Sequence, residues 1–73
     1  METMDIPLEV NAMTIQEALN EIAVIRANIF QMGNNDYERG QIEVIEGQLK
    51  AGKITPIDAV EKVHAMYETK LQI

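Results

Sequence analysis

The chain has 73 residues, no cysteine, and 12 acidic against 6 basic side chains, for a formal net charge of -6. That length limits it to one domain, and the missing cysteines exclude disulfides and thiolate metal sites. Its basic residues, Arg26, Arg39, Lys50, Lys53, Lys62 and Lys70, are nowhere adjacent, which speaks against direct contact with nucleic acid or an anionic membrane, since both need clustered cations.

Residues 1–13 carry no helical period and are interrupted by Pro7 and Asn11. Ile6, Leu8 and Val10 alternate with other residues, as in an extended segment, and a flexible arm is expected. Glu2, Asp5 and Glu9 stand where a secretory signal would need positive charge and an apolar run. No apolar stretch reaches the length of a membrane span, so a cytoplasmic location is expected.

The first helix is predicted over residues 15–32. Thr14-Ile15-Gln16-Glu17 is a capping box, with Met13 and Ala18 at the flanking staple positions. Ala18, Ile22, Ile25, Ile29 and Met32 recur at spacings of four and three, and Ile15 and Leu19 widen the stripe. Val24 falls outside it. Gly33 suits a left-handed stop.

The second helix is predicted over residues 36–51. Asn35 is the expected N-cap, with Asp36 and Glu38 complementing the helix dipole, and Gly52 is the expected stop. At about 100° per residue its apolar positions split into two stripes. Ile42, Ile45 and Leu49 form one. Gly40, Val44, Gly47 and Ala51 form the other, nearly opposite, with Tyr37 at its edge. Arg39, Glu43, Glu46 and Lys50 lie between them, as a solvated face with ion pairs along the helix. Each interior glycine costs about 1 kcal/mol against alanine, which suggests close approach of another helix on their face.

The third helix is predicted over residues 56–72. Thr55 caps it, Pro56 takes the first helical position, and Asp58 the third. Ile54 and Ala59 can form the staple. Val60, Val63, Tyr67 and Leu71 make the expected core stripe, widened by Ala59 and Met66. Short links between three capped helices predict an antiparallel, up-down, three-helix bundle over residues 14–73. Because a core this small supplies only about 3–5 kcal/mol of net stability, and helix 2 shows two opposed apolar stripes, the all-α bundle is expected to be oligomeric.

Chemistry has little to work with. Glu61-x-x-His64 is half of a carboxylate-bridged dimetal motif, but His64 is the chain's single histidine, so a half-exposed histidine is expected instead. There is no serine; of Thr3, Thr14, Thr55 and Thr69, two are helix caps. The glycines at 33, 40, 47 and 52 form no phosphate loop. Met32 and Met66 are expected in the core. No enzyme activity, cofactor or metal is expected.

The stretch Leu49-Lys50-Ala51-Gly52-Lys53-Ile54-Thr55-Pro56-Ile57-Asp58-Ala59 resembles the turn of the short helical hairpins in SHOCT-type domains. That resemblance covers about 25 residues and implies a helical hairpin with an oligomerisation role. The pattern also has a sufficient local cause in a glycine stop, a staple and a threonine cap.

The expected function is that of a small acidic helical protein-binding module: a homo-oligomeric accessory or regulatory factor, of bacterial or phage type by its size and lack of cysteine. Tyr37, Gly40, Val44, Gly47 and Ala51 are the candidate interaction residues. One alternative is an acidic inhibitor or DNA mimic that blocks a basic surface. Another is a helix-turn-helix DNA-binding regulator, which needs a basic recognition helix.

Overall fold

The computed structural model describes residues 13–72; the expected arm lies outside them but for Met13, as does Ile73. Three helices follow one another: α1 (Ile15–Phe30), α2 (Asp36–Lys50) and α3 (Pro56–Leu71), with no strand among the described residues.

Local chemistry sets most of the boundaries. At the start of α1 the Glu17 amide donates to Thr14 Oγ1 at 3.0 Å, and the Thr14 amide donates to Glu17 Oε1 at 2.9 Å. The capping box thus satisfies two amides that have no partner within the helix. At α3 the Asp58 amide donates to Thr55 Oγ1 at 3.1 Å, and Pro56 stands in the first turn, where no amide is required. Helix α2 closes with the Lys53 amide donating to the Gln48 carbonyl at 2.8 Å and the Gly52 amide to Leu49 at 3.1 Å. This is a Schellman turn, and it needs the left-handed backbone that Gly52 adopts at φ 76.

The turn between α1 and α2 departs from the sequence reading twice. Helix α1 ends at Phe30, two residues short of the expected Met32. The Met32 and Gly33 amides donate to carbonyls three residues back, Ile29 and Phe30, which tightens and ends the last turn. Gly33 and Asn34 then both take positive φ, 77 and 46. Moreover, Asn35 makes no side-chain cap on α2. Its Nδ2 donates instead to the Phe30 carbonyl at 3.1 Å, so it closes the end of α1 rather than the start of α2.

The core is formed by Ala18, Ile22, Ile25 and Ile29 from α1, Ile42, Ile45 and Leu49 from α2, and Ala59 and Val63 from α3. The broadest contact is between α1 and α3. Each fully buried aliphatic side chain contributes about 1.5–3 kcal/mol, and no polar residue among the described ones is buried in the core. Met13, Leu19, Phe30, Ile54, Val60, Met66 and Tyr67 pack around it, half-buried.

Three residues of the expected stripes stay exposed: Leu71 at 58%, Ile15 at 42% and Met32 at 37%. Each stands at a helix end or just past one, where a facing helix covers less of the side chain, so correct periodicity cannot bury them. Val24 is exposed, as its phase on α1 requires.

Candidate functional site

All five candidate interaction residues lie on the outside of α2. Tyr37 is 69% exposed and Val44 53%; Gly40, Gly47 and Ala51 are exposed as well. The core stripe Ile42, Ile45 and Leu49 turns the opposite way. A Cβ built at Gly40 or Gly47 would meet nothing within 4 Å. Neither has a positive φ, so neither conformation requires glycine. The close helix approach that these glycines suggest is therefore not made within the described chain.

On one side of this stripe runs the groove between α2 and α3. It holds two neighbouring depressions of about 280 and 260 Å³ that share Tyr37, Lys62 and Met66. Val44, Gln41 and Gln48 line the first, Ala65 and Thr69 the second. The α3 contributors were not singled out from sequence. Their spacing at 62, 65, 66 and 69 places them on one side of that helix, but the signal becomes legible only when α3 is known to lie beside Tyr37.

On the other side, the expected solvated face of α2 is in part a seam with α1. Glu46 pairs across the helices, accepting from Arg26 Nη1 at 2.9 Å. Arg39 lies 4.8 Å above the Phe30 ring, a cation–π contact. The expected pairing along α2 is replaced at these two positions because α1 offers nearer partners. Glu43 and Lys50 remain exposed.

A third depression, about 530 Å³, opens at the α1–α2 turn and is lined by Met32, Gly33, Asn34, Glu38, Lys70 and Leu71. Lys70 Nζ donates to the Asn34 carbonyl at 2.9 Å and stands 3.8 Å from Glu38 Oε2. Its lining is apolar at Met32 and Leu71 and charged at Glu38 and Lys70.

His64 is exposed; its Nδ1 lies 3.7 Å from Glu68 Oε2, and its ring stands 6.5 Å from that of Tyr67. No group of three or more His, Cys, Asp or Glu side chains among the described residues is arranged to hold a metal ion. No helix among them is long and apolar enough to cross a membrane. The chain matches no protein-family model, no curated protein and no solved structure.

Proposed function

We propose that this protein is a small protein-binding module that associates with a second copy of itself through the outward face of α2. The observation that carries this reading is the exposure of Tyr37 and Val44, a tyrosine and a branched aliphatic seven residues apart on one helix face. Large apolar side chains held on one rigid face are how interfaces are anchored. Gly40, Gly47 and Ala51 between and beyond them leave room for another helix backbone to approach.

An up-down, antiparallel arrangement supports a single rigid platform for that face. Arg26 meets Glu46 and Phe30 meets Arg39, so numbers rise along α1 as they fall along α2, which supports that reading for this pair. The role that fits is an accessory or regulatory factor of bacterial or phage type. A reducing compartment such as the cytoplasm suits a chain without cysteine.

Neither rival reading gains a comparable observation. Of the two lysines on α3, Lys70 is tied to Asn34 and Glu38, which leaves that helix poor in cations for DNA. The acids of α2 are interleaved with bases rather than massed, unlike a mimic of a phosphate backbone.

Size-exclusion chromatography with light scattering, over a concentration series at low and high salt, tests the proposal. The expected result is a dimer or larger species that persists at high salt, as an apolar contact does. A monomer at every concentration would overturn self-association.

A further inference from the structure

The outward face of α2 reads Tyr37, Gly40, Val44, Gly47, Ala51, in steps of three and four residues. That is the spacing of a two-helix seam, and along it each glycine stands between residues that carry side chains. All five are exposed. Two pairs of residues flank the seam, each pair seven residues apart and therefore on one edge. Glu43 and Lys50 stand toward α1, where Glu43 borders the α1–α2 groove. Gln41 and Gln48 stand toward α3. Glu43 and Lys50 are exposed, and neither makes an ion pair with another described residue.

Two symmetric ways of laying this face on itself give different layers. With the helices pointing the same way, a two-fold axis along them sets every residue against its own copy. Gly40 then faces Gly40, Val44 faces Val44, and Gly47 faces Gly47. The valines hold the backbones apart at the height where the glycine layers on either side have no side chain to fill the gap, and such voids forfeit packing contacts. Tyr37 against Tyr37 splays the same end further. With the helices pointing in opposite ways, a two-fold axis across them sets early residues against late ones. Centred between Val44 and Gly47, it places Val44 on Gly47 and Gly40 on Ala51, each twice. Every one of these layers joins one glycine to one larger residue, so the backbones approach evenly and the side chains interdigitate. Tyr37 passes beyond Ala51 and lies over the Gly52 turn of the second copy.

We propose that two copies pair through α2 with these helices running in opposite directions, Val44 of each seated on Gly47 of the other. This inference rests on the self-association proposed above and fixes its geometry. The size of the side chains along the seam carries it, and the charges nearest the seam agree. Reversal sets the two α1-side edges against each other, so Glu43 of each copy meets Lys50 of the other. Same-direction helices would set that edge against the α3-side edge, where α2 offers only the uncharged Gln41 and Gln48. Charges flanking a helix seam set partner orientation in the same way in coiled coils. Lys62 and Asp58, farther out on α3, find opposite charges in either arrangement and decide nothing.

Two measurements on the full chain test the pairing. Since the chain has no cysteine, Gly40→Cys and Ala51→Cys each place a unique thiol on the face. In the opposed arrangement, position 40 of one copy faces position 51 of the other. Either position then lies about 16 Å along the axis from its own copy, too far for a disulfide. Mild oxidation should therefore link the two variants when they are mixed and neither one alone. Linking of each variant with itself would show same-direction helices and overturn the proposal, as would no linking in either case. In sedimentation equilibrium, Glu43→Lys is expected to weaken the dimer about tenfold, because ammonium then meets ammonium twice. Adding Lys50→Glu to the same chain is expected to restore it. Restoration by Lys62→Glu in place of Lys50→Glu, restoration by neither, or indifference to Glu43→Lys overturns this geometry and leaves self-association standing. A wild-type monomer removes both.

Discussion

Lys70, in the last turn of α3, donates a 2.9 Å hydrogen bond to the backbone carbonyl of Asn34, in the turn between α1 and α2. The contact spans 36 residues of chain and ties the end of the bundle shut. Lys70 and its neighbour Glu38 keep only 12% and 17% of their side-chain surface exposed, and the other carboxylate oxygen of Glu38, Oε1, is buried with no hydrogen-bond partner among the described residues.

Lys70→Met should therefore destabilise the fold by about 2 kcal/mol, because it leaves the Asn34 carbonyl and a largely buried carboxylate without their cation. Urea denaturation followed by circular dichroism measures it. A change below about 0.5 kcal/mol, the usual range for a surface substitution, would show that the contact does not hold the end closed.

Asn35 provides a test of which helix it serves. As the donor to the Phe30 carbonyl, it requires its amide nitrogen. Asn35→Asp and Asn35→Ala should each cost about 1 kcal/mol, with the aspartate further opposed by the negative end of the α1 dipole. Were Asn35 an N-cap of α2, aspartate would replace it without loss. Thermal unfolding of the two variants separates the roles.

Gly40→Ala and Gly47→Ala should each stabilise the isolated bundle by about 1 kcal/mol, since the new methyl meets nothing within 4 Å. Gly47→Leu should also leave the bundle folded but disrupt assembly, because its side chain would fill the space that a second helix needs. Denaturation at concentrations low enough to keep the protein monomeric, paired with light scattering at high concentration, reads both effects. A Gly47→Leu protein that assembles as wild type does would disprove the close approach.

Ile22 has no exposed surface and lies at the centre of the core. Ile22→Ala should cost about 2–5 kcal/mol, comparable to the entire net stability of a domain this size. The variant is expected to lose cooperative unfolding at room temperature. Val24→Ala, two residues away but on the exposed side of α1, should change stability by less than about 0.5 kcal/mol. Similar losses at the two positions would mean that α1 is rotated from the orientation described.

What the sequence determined by itself was local. The caps at Thr14 and Thr55, the glycine stop at Gly52 and the buried faces of α1 and α2 were legible because each depends on residues within a few turns of one another. Side-chain spacing settles which face of a helix is apolar before any neighbour is present. The same spacing isolated Tyr37 and Val44 from the core of α2, and the structure places them outside.

What only the tertiary structure decided was which residues of different helices and turns meet. Glu46 and Arg39 read as members of a charged helical face, and their contacts with Arg26 and Phe30 exist only because α1 lies alongside. Lys62 and Met66 join the surface around Tyr37 for the same reason, through α3. Leu71, Ile15 and Met32 carry the correct period yet remain exposed, since burial requires a facing helix and each stands at a helix end or just past one. Asn35 stands between two helix ends, one needing an acceptor and the other a donor. Its amide can serve either, and the left-handed turn at Gly33 and Asn34 brings it back to Phe30.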